Sequence, residues 1–291
     1  MGVLFAGVVA VATSAPSPQP SPRPSSMPAA AGPCASAPLS SIAVRPGLGR
    51  APASGGAVCV AAPGVVVLGA GYRDQVTVGT TRQTLLVYPA PVALVGLPAQ
   101  NELIVAPGLT LSRRIGGAGS ALTPATGQQD AGLGFQHLLS DRPATQQALE
   151  VFATFPTGYP TGPSGFSMGA PTYQLGYTIA ESITPAVGAT LSNAVVDGSG
   201  WTPAGSMRRF VGYQPSLTVS FALTPSTSLL LEDQIAAPTG PQSPTGNRAL
   251  AGLQQTLSPA FVIDLDYEVN ALPAPGTSQH TRFEAGVTVR L

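Results

Sequence analysis

Three tight turns, ITPAVG at Ile183 to Gly188, LTPSTS at Leu223 to Ser228 and LSPAFV at Leu257 to Val262, punctuate the last third of the chain. Each joins two alternating runs of about ten residues, and each pair of runs is followed by a longer connection rich in Gly and Pro. Short turns at one end and long loops at the other mark an up-and-down antiparallel barrel, and in a bacterial outer membrane the short ends face the periplasm. The fold class read from the sequence is therefore all-β, a transmembrane β-barrel.

Composition agrees. Only 9% of the 291 residues are charged, all thirteen basic residues are Arg, and the formal net charge is zero. That is too little charge to clothe a soluble surface. After the N-terminus there is no uninterrupted apolar run long enough for a transmembrane helix, so a helical bundle is excluded. A barrel that meets lipid on alternate residues satisfies both facts. The basic pairs Arg113-Arg114 and Arg208-Arg209 have no interleaved aromatics, which leaves nucleic-acid binding without support.

Twelve strands are expected, near residues 64-74, 82-96, 100-112, 129-140, 144-155, 171-183, 186-196, 209-223, 226-237, 246-257, 260-270 and 280-291. Twelve is even, as bacterial barrels require. Every second connection is short: Leu97 to Ala99, Asp141 to Pro143, and the three Pro turns. The others, 113-128, 156-170, 197-208, 238-245 and 271-279, are longer.

Parity assigns the two faces. In FVIDLDYEV the apolar Phe261, Ile263, Leu265, Tyr267 and Val269 oppose Asp264, Asp266 and Glu268. In the last strand Phe283, Ala285, Val287, Val289 and Leu291 oppose Arg282, Glu284, Thr288 and Arg290. Glu181 and Asp233 fall on the apolar parity. The first lies near a turn, where a charge costs little; for the second a bulge after Leu231 is expected. Phe155, Tyr173, Phe210 and Phe283 near the long loops, with Phe221 and Phe261 near the short turns, suggest two interfacial girdles.

The first fifteen residues form an apolar run ending in small residues, the pattern of a signal peptide at 1-15. Residues 16-58 read as a Pro/Ser/Ala-rich periplasmic linker and 59-291 as the barrel. Cys34 and Cys59 are the only cysteines. In an oxidising periplasm two otherwise unused thiols pair, so a disulfide is expected. With no His nearby they are not a metal site, and no pattern calls for a cofactor.

Sorting charges by parity gives an inner face with Glu102, Asp130, Glu150, Glu232, Asp264, Asp266, Glu268 and Glu284 against Arg282 and Arg290. A last hairpin centred near Pro275 sets Glu268 opposite Arg282 and Asp266 opposite Glu284. Two readings follow: a constriction favouring cations or polar solutes, or a hydrogen-bonded plug that fills the interior. Apolar side chains on the lumenal parity, Ile104, Phe152 and Leu230, are too few to argue hydrocarbon transport. No enzyme is expected: His137 lies on the lipid parity, His280 at a loop edge, and neither stands beside a recognisable nucleophile. Trp201 falls in a loop, which leaves the Asp266 and Glu284 pair without a sugar cleft.

The stretches DAGLGFQHLL from Asp130, VFATFPTGYPTG from Val151 and APTYQLGYTIAESITPAVG from Ala170 resemble outer-membrane barrels of the MetA-pathway of phenol degradation family, often labelled transporters. Upstream, VVVLGAGYR from Val65 and LLVYPAPVALVGLPAQNELIVAP from Leu85 look like the first half of the same group. The resemblance implies an outer-membrane barrel carrying small organic or aromatic solutes and transfers no catalytic or binding residue. The partners expected of such a barrel are membrane lipid, the barrel-assembly machinery and a small-molecule solute, and it is expected to be a monomer. The alternative is a structural or surface-display barrel with a plugged lumen.

Overall fold

The structure, a computed structural model, describes residues 34, 58–78, 81–88, 91–108, 110–117, 123–161, 166–202, 205–236, 246–273 and 279–291. The expected signal peptide and all of the expected linker except Cys34 and Val58 lie outside the described residues.

Fifteen strands form one antiparallel sheet: β1 (Val66–Val78), β2 (Thr81–Val87), β3 (Val92–Leu97), β4 (Asn101–Ala106), β5 (Thr110–Gly117), β6 (Thr123–Gln128), β7 (Ala131–Asp141), β8 (Thr145–Phe155), β9 (Thr172–Thr184), β10 (Val187–Trp201), β11 (Met207–Thr224), β12 (Thr227–Ala236), β13 (Gly246–Ser258), β14 (Phe261–Pro273) and β15 (Gln279–Arg290). β1 pairs with β15 from Val67↔Arg290 to Val78↔Gln279, which closes the sheet. Along its other edge β1 is shared, Val66–Gly69 pairing with β3 and Arg73–Val78 with β2. Below, β3 pairs with β4 and β4 with β7; above, β2 pairs with β5 and β5 with β6. Each of β2/β3, β4/β5 and β6/β7 is thus the upper and lower part of one wall strand, and twelve wall strands enclose the barrel.

The expected strands 82-96 and 100-112 are therefore each broken, and the expected loop 113-128 instead carries the β5–β6 hairpin. The break between β2 and β3 contains Pro89 and Pro91, and that between β4 and β5 contains Pro107. A proline has no N–H to give the ladder, so a central strand cannot run through it. Pro215, inside β11, escapes this: β12 pairs with β11 only as far as Ser216↔Gln234, one residue short of it.

All five short turns lie where the sequence put them, at β3–β4, β7–β8, β9–β10, β11–β12 and β13–β14. On the opposite side the strands run higher than expected. β10 reaches Trp201 and β11 starts at Met207, so the expected loop 197-208 is mostly strand. At 18 residues β11 is longer than the 9–11 or so that cross a bilayer, so part of it extends beyond the apolar zone.

The outer face is apolar, and the inner face is polar except for an apolar patch near the short turns, largely the reverse of a soluble protein. Leu133, Val151, Leu175, Val195, Leu217, Leu231, Leu265 and Tyr267 are exposed, while Glu102, Glu150, Ser192, Thr218, Asp264 and Glu284 are buried. Asp233 is exposed on the outer face, and the β11–β12 register is continuous from Leu217↔Asp233 to Val219↔Leu231. The expected bulge after Leu231 does not exist; the register shifts only beside the turn, between Ala222 and Thr224. No bulge is needed because Asp233 lies three residues from the upper end of β12, where a carboxylate reaches water. Phe210 also departs from expectation. It takes the inner parity, its ring beside Gly198, and joins no girdle.

Glycine on the inner face of β7 makes room for an aromatic ring. A Cβ added to Gly132 or Gly134 would fall 2.3 and 2.5 Å from the ring of Phe152 on β8. The ring covers the bare backbone, a cross-strand arrangement that restores the packing a glycine gives up.

Candidate functional site: the barrel lumen

Cross-strand register builds the main charged cluster. Glu268 on β14 and Arg282 on β15 are direct partners, as are Glu284 on β15 and Arg73 on β1. Arg282 Nη2 bonds Glu268 Oε2, and Arg73 Nε bonds Glu284 Oε1. Arg282 Nε lies 3.4 Å from Glu284 Oε1, joining the two pairs. At the upper end His280 Nε2 stands 3.1 Å from Glu268 Oε1, with its Nδ1 3.4 Å from Thr77 Oγ1. Arg248 on β13 approaches Glu268 Oε1 at 3.9 Å. The result is one chain of groups, Thr77–His280–Glu268–Arg282–Glu284–Arg73, across β14, β15 and β1. Charges held this far from water need partners, and here each carboxylate meets more than one cation or donor.

The expected inner residues are inside. Asp264, Asp266, Glu268, Arg282, Glu284 and Glu232 are all buried. Asp266 and Glu284 are direct partners as expected, and Glu268 opposes Arg282. Asp264 faces Gly286 and Asp266 faces Gly252. A Cβ on Gly252 would sit 2.0 Å from Asp266 Oδ1, so that carboxylate lies against bare backbone. Glu232 Oε2 accepts a bond from Thr218 Oγ1 at 3.2 Å.

Three members of the cluster were not expected: Arg73, Arg248 and His280. The first two change the balance, since the acids no longer face Arg282 and Arg290 alone. His280 is buried in the cluster and is not a rim residue. The period-2 rule carries all three, because Arg73 shares parity with Gly69 and Gly71, Arg248 with Leu250 and Gly252, and His280 with Arg282.

Near the short-turn end the lumen holds a piece of its own chain. Cys34 and Cys59 form the expected disulfide, with Cα atoms 5.1 Å apart. Gln136 Nε2 donates to the Val58 carbonyl at 2.9 Å, and the Ala61 N–H donates to Glu102 Oε2 at 2.7 Å. The Cys34 N–H donates to the Asp141 carboxylate at 3.1 and 3.2 Å. Cys34, Val58, Cys59, Val60 and Ala61 pack with Val67, Leu94, Ile104, Leu138, Ala148 and Val262, side chains of six different wall strands. Gly96 makes this possible, since a Cβ there would lie 2.0 Å from the Ala62 carbonyl oxygen.

At the other end the described legs of the β8–β9 connection, 156–161 and 166–171, meet the wall. Asp130, expected on the pore lining, instead accepts the Gly158 N–H at 2.8 Å and the Met168 N–H at 2.9 Å. Phe166 is buried against Val87 and Leu85 of β2. His137, on the outer face, lies 2.8 Å from Asn101 Oδ1. Among the described residues no group of three or more His, Cys, Asp or Glu is placed to hold a metal ion.

No protein-family model matches the chain, and no curated protein matches it. Among solved structures it is similar to an outer membrane channel from Pseudomonas putida F1, with 13% identity, 80% of this chain and 97% of that chain covered, and a TM-score of 0.65. It also aligns with the translocator domain of the autotransporter NalP from Neisseria meningitidis at 11% identity, 79% and 90% coverage and a TM-score of 0.49. The toluene transporter TodX from Pseudomonas putida aligns at 9% identity, 78% and 88% coverage and a TM-score of 0.40. The first likeness places the fold among the bacterial outer-membrane barrels.

Proposed function

We propose that this chain is an outer-membrane channel or transporter for small solutes, standing in the membrane as a monomer with its short turns in the periplasm. The observation that carries the reading is the inverted distribution of polarity. A closed barrel with leucines outside and a linked set of carboxylates and guanidinium groups inside is built for lipid around it and polar passage through it. The likeness in fold to an outer membrane channel supports it.

Asp264, Asp266, Glu268, Glu284 and Glu232, with Arg282, Arg73 and Arg248, line the charged part of the path. A twelve-stranded wall is intermediate between the roughly eight strands that side chains fill and the roughly 16 that leave an open aqueous channel, so the solutes are small or slender. The resemblance to the MetA-pathway of phenol degradation family favours small organic or aromatic solutes as the finer reading. Residues 1-15 are proposed to be cleaved on export, and the barrel-assembly machinery and membrane lipid are the partners the architecture calls for.

A second reading, a structural barrel with a plugged lumen, is favoured by one observation: the disulfide-bearing segment packs against apolar side chains of six wall strands. Single-channel recording of the refolded protein in planar bilayers separates the two. A steady current whose reversal potential under a salt gradient changes in the double variant Asp266→Asn, Glu284→Gln supports the channel and these residues. Silence from inserted, folded protein moves the weight to the plugged barrel.

A further inference from the structure

The outer wall is not evenly covered. In the antiparallel register Leu133, Ala153 and Tyr173 are direct partners across β7, β8 and β9, and one step toward the short turns so are Phe135, Val151 and Leu175. In each row a short side chain on β8 stands between two longer ones. Ala153 and Val151 are two residues apart and so share a face, which lines up the low points along β8 and leaves a wall of larger residues on either side. The result is a groove of about 620 Å³ on the lipid-facing surface, following the strand.

At its upper end, toward the long loops, the groove is bordered by Asp197 of β10, the direct partner of Tyr173. Arg209 on β11 grips both oxygens of that carboxylate, Nε to Oδ1 at 2.8 Å and Nη2 to Oδ2, so the one charge on the groove is neutralised where it stands. A second groove, of about 430 Å³, has the same build along β13. Its floor is Ala249 and Ala251, between Asp233 and Leu231 on one side and Val269 and Tyr267 on the other. Its carboxylate, Asp233, has no ion pair among the described residues.

A concavity that faces hydrocarbon fills with hydrocarbon, because water finds no partners there and a void forfeits contacts with its own lining. Lipid tails are as apolar as leucine, so close packing and not a hydrophobic force decides what sits in it. A slender chain laid between two walls touches protein on three sides, where a chain against an even surface touches it on one.

We propose that the β8 groove is a binding site for an acyl chain of a membrane lipid, lying along the strand from Tyr173 and Asp197 toward Val151 and Leu175. The β13 groove is a weaker copy of it, smaller and bordered by an uncompensated carboxylate. The inference needs only the barrel in its membrane, and it stands whether the lumen conducts or is plugged.

The test is photocross-linking of the full chain refolded into phosphatidylcholine vesicles that carry a trace of phospholipid with an aryl-trifluoromethyl diazirine on one chain. Adducts are mapped by peptide mass analysis. They are expected to be several-fold denser at Val151, Ala153 and Leu175 than at Leu265 and Val287, which border neither groove, with Ala249 and Ala251 between. Ala153→Leu raises the floor and Tyr173→Ala removes part of one wall. Each, checked for the heat-modifiable gel shift of a folded barrel, is expected to bring the β8 and β9 adducts to the level at Leu265. Even labelling around the wall, or an enrichment that survives both variants, overturns the site. Adducts lost from β8 alone when the vesicles also carry hexadecane assign the groove to a free apolar solute and overturn its assignment to lipid; adducts that persist there support it. Should Ala153→Leu fail to fold, the wild-type map and Tyr173→Ala decide.

Discussion

Glu268 stands within 4 Å of two guanidinium cations, those of Arg282 and Arg248, and of the His280 imidazole. Glu268→Gln keeps the shape and removes the charge, leaving those cations less compensated. The expected outcome is a reversal potential displaced toward anion selectivity, together with a lower denaturant midpoint; breaking a buried pair from one side costs about 3–5 kcal/mol. Gly134→Val acts at the same scale by volume. Its side chain must displace the Phe152 ring, an overpacking worth about 1–3 kcal/mol, measurable as a loss of stability that Phe152→Ala in the same chain relieves. The inner acids of β14 and β15 were legible in the sequence because each stands between apolar neighbours, so the alternation has full contrast. Arg73 was not. The lumenal residues just before it are Gly69 and Gly71, and a glycine lining a pore looks as apolar as a residue facing lipid.

At the level of elements the three Pro turns were the strongest signal, and the strands they join lie as expected at the turn end, while β10 and β11 run further at their other end than the pattern showed. The errors gather in residues 82–128, where Pro89, Pro91 and Pro107 lie within alternating runs and break the ladder without ending the wall strand. Alternation resumes on the far side of each break, which is why a linear pattern reads straight through it. The placing of the described legs of the β8–β9 connection was illegible for a different reason: Asp130 reaches Gly158 and Met168, and Phe166 reaches Val87, only through tertiary contacts of irregular backbone. Depth along a strand gives a further test. Leu265→Arg on the outer face of β14 is expected to cost about 2–4 kcal/mol in equilibrium refolding into lipid, whereas Asp233→Arg, near a strand end, is expected to cost about 0–1. The disulfide belongs at this scale too. Its cysteines are 25 residues apart in sequence, and loss of a loop of that length costs about 3.5 kcal/mol in the chain-entropy picture. Because the bond lies in the inner segment and not in the wall, the double variant Cys34→Ser, Cys59→Ser is expected to keep the folded-barrel gel shift while conductance rises.

For the molecule as a whole, closure depends on one ladder between strands at opposite ends of the barrel sequence, from Val67↔Arg290 to Val78↔Gln279. Directly opposed residues in antiparallel strands have Cα atoms about 4.5–5.5 Å apart, a spacing a disulfide accepts. Leu68→Cys with Val289→Cys, opposed on the outer face, is expected to oxidise into a cross-link that survives boiling in detergent and is released by reductant; absence of that product by peptide mass analysis would falsify the closure.

The same ladder sets an order of events. Cys34 and Cys59 are 8% and 9% exposed and lie inside a wall that is sealed only when the last strand meets the first. A folded oxidising enzyme is far wider than a twelve-stranded lumen, so pairing of the two thiols is expected to be fast in the unassembled chain and slow once the barrel has formed, which timed thiol trapping during refolding would read. On that expectation the finished barrel carries within it a record of the order in which it was made.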